Sequence, residues 1–246
     1  MTGSLEGRVC VVTGASSGIG RSLALALASA GAQVWAIGRS QERLHSLVRD
    51  AGNRGKVVPL VADLERDDGL ESAARDLLSA GENVDVLIHS AGVIQLATFE
   101  SASSVELDRH YKVNLRVPFL LTQALLPALK RARGHIIFIN SSAALRASSN
   151  NVLYAATKAA LKALADGLRD EVNPNGVRVV TIYAGRTATP MQASVHEFEG
   201  RAYQPELLMQ PEDLAQIVLA TLALQATAEV TDLNIRPASK PADSRR

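Results

Sequence analysis

A single cysteine, Cys10, serves the whole chain of 246 residues, so no internal disulfide can brace the fold. It lies in the apolar run RVCVVT and reads as a buried strand residue of a protein kept in a reducing cytoplasm. Charge of one sign is lacking as well: 26 Lys and Arg stand against 25 Asp and Glu, a formal net charge of +1. That balance supplies no electrostatic reason to expect nucleic acid or an anionic membrane as partner. Long hydrophobic runs are missing, because Gly or charge interrupts each one, which argues against a transmembrane helix. The opening MTGSLEGR has no apolar stretch of the signal-peptide kind. The five histidines (His45, His89, His110, His135, His196) show no metal-ligand spacing, so zinc is disfavoured. What is present is 47% apolar and 21% charged residues, enough for a soluble globular protein with an ample core.

Short β-branched runs alternate with longer helical patterns. RVCVVT (8–13), QVWAIG (33–38), KVVPLVA (56–62), VDVLIHS (84–90), HIIFIN (135–140), VRVVTIY (177–183) and VTDLNI (230–235) read as strands. Their near-continuous apolar character suits strands covered on both faces. Helical segments fall near 19–30, 40–51, 67–80, 103–130, 152–173 and 211–225. Alternation of this kind implies right-handed βαβ crossovers and a Rossmann-type, doubly wound α/β fold whose seven-stranded sheet is mainly parallel. No linker or repeat divides residues 1–246, so one domain is expected, with a frayed polar tail from about 237. Ligands of such sheets bind beyond the carboxyl ends of the strands, which directs attention to the residues just after each one.

After the first strand comes TGASSGIG, with Gly14, Gly18 and Gly20 spaced by three residues and then one, and Ser16 and Ser17 between. Glycine lets the backbone turn tightly and approach a pyrophosphate, while a helix beginning near Ile19 offers free N–H groups to the anion. An ordinary strand-helix turn also uses glycine, but this one follows the first strand and opens the first helix, as a dinucleotide site requires. The second strand ends in Gly38-Arg39-Ser40. No carboxylate stands there for a ribose 2′-hydroxyl, whereas Arg39 presents a planar, permanently charged fork suited to a 2′-phosphate. The reading is NADP(H) in preference to NAD(H), with a solvated arginine as the plainer alternative. In VLYAATKAAL, Tyr154 and Lys158 share one helix face about 5–6 Å apart at Cβ. By itself the pair is either a lysine lying over a ring or a phenol whose proton an ammonium loosens.

Together TGASSGIG and YAATK, in this order, give the chain a resemblance to the compact short-chain dehydrogenases/reductases from about residue 7 to 235. The resemblance implies that Asp63-Leu64 meets the adenine. Ser90-Ala91-Gly92 sits where the family has Asn-Ala-Gly, and Ala184-Gly185 with Thr187 and Thr189 sits where a Pro-Gly segment contacts the nicotinamide end. It further implies a catalytic set of Asn114, Ser141 (Ser142 being the adjacent alternative), Tyr154 and Lys158. Lys158 would also hold the nicotinamide ribose, and Asn114 would anchor a water leading to the lysine. Two departures, Ser90 for asparagine and Ala184 for proline, predict a weaker tie between strands and a looser turn beside the cofactor.

The implied chemistry is hydride transfer between a nicotinamide and a carbonyl or secondary alcohol, with Tyr154 as general acid/base and Ser141 holding the substrate oxygen. Lowering a phenol's pKa of about 10 by ~2–3 units takes roughly 3–4 kcal/mol, which Lys158 and an oxidised nicotinamide would supply. Leu145, Leu153, Met191 and a mobile lid within about 186–210 are expected to wall the substrate pocket, with Arg186 a candidate for an anionic group. The helix from Tyr154 carries two stripes, Ala156, Ala160, Ala163 and Gly167 on one and Leu161, Ala165 and Leu168 on the other. One would cover the sheet and the other a second subunit, giving a homodimer or homotetramer. The reading from another class is a catalytically silent, NADP-binding regulatory protein on the same fold.

Overall fold

Each β-branched run becomes a strand: β1 Val9–Thr13, β2 Gln33–Gly38, β3 Lys56–Val61, β4 Val86–His89, β5 His135–Ser141, β6 Arg178–Ala184 and β7 Asp232–Ile235. In the computed structural model, which describes residues 5–53, 55–80 and 83–238, they form one sheet in the order β3-β2-β1-β4-β5-β6-β7. Every pairing is parallel, so the sheet is more uniform than the mainly parallel one expected. Pro59, which cannot donate to a ladder, lies on the edge strand β3. The chain winds outward from β1 to β3, then returns to β4 and continues to β7. β1 and β4 therefore flank the point where the winding reverses, which is where such sheets open a crevice. The expected frayed tail falls from residue 239 onward outside the described residues.

Helices α1 (Gly18–Ser29), α2 (Gln41–Ala51), α3 (Asp67–Ser79), α4 (Ser104–Tyr111), α5 (Val117–Ala132), α6 (Val152–Val172), α7 (Pro190–Phe198) and α8 (Pro211–Leu222) cover both faces. Successive strand residues point to opposite sides. Cys10 and Val12 pack with Leu23 and Leu27 of α1 and Leu214 and Val218 of α8. Val11 between them packs on the other side, with Leu121 and Leu125 of α5 and Leu161 and Ala165 of α6. Covering both faces is why the strands read as unbroken apolar runs, and each fully buried leucine contributes about 1.5–3 kcal/mol.

Two elements differ from the sequence expectation. The long helix near 103–130 is split by a π-helical turn, Lys112–Arg116, between α4 and α5. Pro118, at the start of α5, has no N–H to give the carbonyl of Asn114 four residues earlier, so the α ladder is interrupted there. The unpatterned stretch expected to be a mobile lid holds a capped helix: Thr189 Oγ1 accepts from the Gln192 N–H at 3.2 Å and Pro190 begins α7.

Candidate active site

Beyond the carboxyl ends of β1 to β4 lies a cleft floored by the turn between β1 and α1. Gly14 and Gly18 adopt φ of 69° and 53°, in the left-handed region. A Cβ on Gly14 would stand 2.8 Å from the Ala91 Cα, and one on Gly20 would stand 2.4 Å from the Gly14 carbonyl oxygen. Backbone approach this close is possible only for glycine. Ser17, at the N-cap of α1, makes no side-chain capping bond, and the first turn of the helix holds no acidic residue. The uncapped helix N-terminus above a bare glycine cradle suits a diphosphate, so the residues present fit a dinucleotide. Thr13, at the end of β1, ties the crevice together: its Oγ1 accepts from the Ser90 and Ala91 N–H groups, both at 3.1 Å.

A second cleft of about 660 Å³ continues from the first, and Ile19, Ser90, Gly92, Thr189 and Met191 line both. Ser141 enters it from the end of β5 and Tyr154 and Lys158 from the first turns of α6. Lys158 is 4% exposed, its Nζ donates to the Ile139 carbonyl at 3.1 Å and lies 5.8 Å from the Tyr154 ring centroid. Burial lowers its ammonium pKa to about 8. Asn140, buried beside them, donates to the Lys158 carbonyl at 3.0 Å and accepts from the Ser141 N–H at 2.8 Å, which fixes α6 against β5 beside Ser141 and Lys158. Asn114 is fully buried on the π turn. Its Oδ1 accepts from the Val93 N–H at 2.9 Å, and its Nδ2 donates to the Val93 carbonyl at 3.0 Å and to Thr157 Oγ1 at 3.2 Å. His110 packs edge-on to the Tyr154 ring at 6.5 Å between centroids.

Residues 8–200 match a family model described as short chain dehydrogenase. A short-chain type dehydrogenase/reductase of Sinorhizobium fredii is 36% identical over 234 residues, covering 93% of this chain and 91% of that protein. The chain belongs to the short-chain dehydrogenase/reductase family. It is an oxidoreductase of that family, and solved members superpose closely on it. A metagenomic short-chain oxidoreductase in complex with NADP has a TM-score of 0.83 and 30% identity, over 96% of this chain and 99% of that one. A 3-ketoacyl-(acyl-carrier-protein) reductase from Brucella melitensis, complexed with NADH, has a TM-score of 0.82 and 27% identity, over 95% and 98% of the two chains.

In this short-chain dehydrogenase the structure brings most of the residues singled out in the sequence to the two clefts. Gly14, Ser16, Ser17, Gly18, Ile19, Gly20, Arg39, Asp63, Leu64, Ser90, Ala91 and Gly92 line the first. Ser141, Ser142, Tyr154, Lys158, Ala184, Gly185 and Thr187 line the second, and Thr189 lines both. Ser40 lines neither: its hydroxyl accepts from the Arg43 N–H at 3.3 Å and caps α2. The stretch Gly14 to Gly18 also spells the G-x-S-x-G of a hydrolase elbow, but no described histidine hydrogen-bonds Ser16, so no triad forms.

Several expectations need correction. Burial raises the Tyr154 phenol above its ordinary pKa, and a hydrogen bond with Ser141 pulls the other way without prevailing. The expected lowering is assigned to Lys158 together with an oxidised nicotinamide, and the groups of the protein by themselves do not produce it. Ala184 opens no loose turn: it stays within β6, paired with Ser141 on one side and Ile235 on the other. Leu145 and Leu153 lie outside the cleft, whose apolar wall is formed by Ile94, Leu96, Val195 and Phe198 beside Met191. Arg186 does line it, but both its terminal nitrogens are engaged by Glu199, at 2.8 and 2.6 Å. Sequence reasoning missed Thr13, Asn140 and Thr157, for which no local pattern exists.

Proposed function

We propose that this oxidoreductase interconverts a medium-sized carbonyl compound and its secondary alcohol, using NADP(H) in preference to NAD(H). The observation that carries the reading is the convergence of Ser141, Tyr154 and Lys158 in a cleft continuous with the glycine-lined one. Gly14 to Gly20 would hold the diphosphate, Asp63 and Leu64 the adenine, Arg39 the 2′-phosphate, and Lys158 with the Ala184–Thr189 segment the nicotinamide end. A nicotinamide held there would supply hydride to the carbonyl carbon, or accept it from the alcohol. Ser141 Oγ donates a hydrogen bond to the substrate oxygen and holds it beside the phenol. Tyr154 gives its proton to the oxygen as negative charge develops there, and takes it back in the oxidative direction. Lys158, an ammonium at neutral pH, stabilises the phenolate left behind. Sites of this family in the solved relatives hold either NADP or NADH, and Arg39 in place of a carboxylate is what favours the phosphorylated cofactor here.

The test is a screen of ketones and aldehydes following NADPH absorbance, with NADH in parallel, on the unmodified protein and on Tyr154→Phe. Turnover should fall by ~10²–10⁴-fold in the variant, the range typical of losing a positioned acid or base, while NADPH fluorescence shows binding intact. A silent NADP-binding regulator would bind the cofactor with no turnover to lose.

A further inference from the structure

Glu65 stands where two arginines from different elements meet. Arg39, just beyond β2, brings Nη1 to 3.2 Å from Glu65 Oε1. Arg109, on α4, brings Nη2 and Nε to 3.2 and 3.3 Å from the same oxygen. Arg39 and Glu65 both line the glycine-floored cleft, at the end occupied by Asp63 and Leu64. The direction of Arg109 is set by its neighbour: His110 is buried, with Nδ1 on the Glu106 carbonyl at 2.7 Å and Nε2 on the Gln95 N–H at 3.1 Å, which fixes the rotation of α4. Two guanidinium groups within reach of one oxygen can equally divide the oxygens of one phosphate between them. The carboxylate carries a single negative charge and leaves one of the two positive charges uncompensated. A phosphomonoester, at about −1.5 to −2, matches the pair better.

We propose that Arg39 and Arg109 together form the 2′-phosphate site of NADP(H), and that Glu65 is its built-in competitor, setting how strongly the protein discriminates NADPH from NADH. The proposal rests on the NADP(H) reading above and adds a second cation and an opposing anion to it. Without a 2′-phosphate, Glu65 holds both forks in place and compensates one of their two charges. A bound 2′-phosphate takes over the two forks, and Glu65 turns outward. These pairs are part-exposed, at 60% for the Arg39 side chain, 47% for Arg109 and 27% for Glu65, and exposed ion pairs exchange readily. Glu65 lines the same cleft beside Arg39, so its charge opposes a 2′-phosphate and does not oppose the unphosphorylated ribose.

The experiment measures dissociation constants for NADPH and NADH by fluorescence titration, without turnover, in the unmodified protein and in Glu65→Gln, Arg109→Ala and Arg39→Ala. Glu65→Gln should tighten NADPH about tenfold, the factor one charge-assisted hydrogen bond commands, and should not tighten NADH. Arg109→Ala should weaken NADPH about tenfold and leave NADH unchanged, which also shows that the variant is folded. If Arg39→Ala shrinks the NADPH preference while the other two leave the affinity ratio unmoved, the NADP(H) reading stands and this proposal is overturned. If no variant moves the ratio, both fall.

Discussion

In the proposed reaction Tyr154 and Lys158 divide the proton chemistry by their environments. Burial holds Tyr154 as a neutral phenol through the neutral range, which is the form that carbonyl reduction consumes. Oxidation of an alcohol needs the phenolate, whose fraction rises about tenfold with each pH unit below the pKa. Reduction should therefore run at a nearly constant rate across neutral pH while oxidation climbs with pH, as initial rates in both directions would show. Parallel profiles would argue against Tyr154 as the group. Lys158→Ala should differ in kind from Tyr154→Phe: it should weaken NADPH binding along with turnover, because the proposed function has the lysine serve both the phenolate and the cofactor. Tyr154 and Lys158 were legible from their spacing on one helix face. Asn140 was not, because its partners, the Lys158 carbonyl and the Ser141 N–H, become neighbours only when α6 packs on β5.

At the scale of elements, α6 does two tasks. Leu161 and Ala165 are buried against the sheet. Ala163 and Gly167 face outward, and a Cβ on Gly167 would meet nothing within 4 Å. Next to this stripe, Phe119 and Leu126 of α5 and Leu164 and Leu168 of α6 line an apolar groove. A helix face this smooth permits close approach of an identical helix, and we expect the protein to associate through it as a dimer or a tetramer. Ala163→Arg should shift the assembly to smaller species, because a bulky charge there exceeds the ~1–3 kcal/mol that overpacked contacts ordinarily lose. Light scattering that already finds a monomer in the unmodified protein would refute the assembly. The two apolar stripes were visible as helical periodicity. The π turn that carries Asn114 was not anticipated, although its cause, Pro118, is in plain sight four residues later.

For the molecule as a whole, two buried histidines make the fold sensitive to acid. His89 stacks on Phe138 at 5.0 Å and bonds Thr122 at 2.8 Å, and burial, helped by Lys158, lowers its pKa to about 3. His135, 2% exposed, is likewise lowered to about 3 by burial and then by Arg178 and Arg8. Neither of its ring nitrogens meets a hydrogen-bond partner among the described residues. In the unfolded chain both imidazoles take up a proton near pH 6.5 while the folded rings do not. The stability associated with the neutral rings is therefore complete above about pH 6.5 and is lost as pH falls from there toward about 3. Each ring contributes at most one proton to the slope, roughly 1.4 kcal/mol per pH unit. His135→Leu should flatten the fall by about one proton, read from urea midpoints at several pH values between these limits. An unchanged slope would mean that other groups govern acid unfolding.

Strand alternation, the glycine turn and the Tyr154–Lys158 pair were determined by the sequence itself, because each depends on spacing within one element or one turn. The burial of Cys10 was as legible: it follows from strand periodicity, and burial pushes the thiol up to about 12. What surrounds those residues was decided only by the tertiary structure. Thr13 binding the end of β4, Asn114 gripping Val93 and Thr157, and Glu65 drawing in Arg39 and Arg109 all join residues from separate elements. Such partners are chosen by how parallel crossovers set one helix over one strand end, and no pattern along the chain encodes that placement.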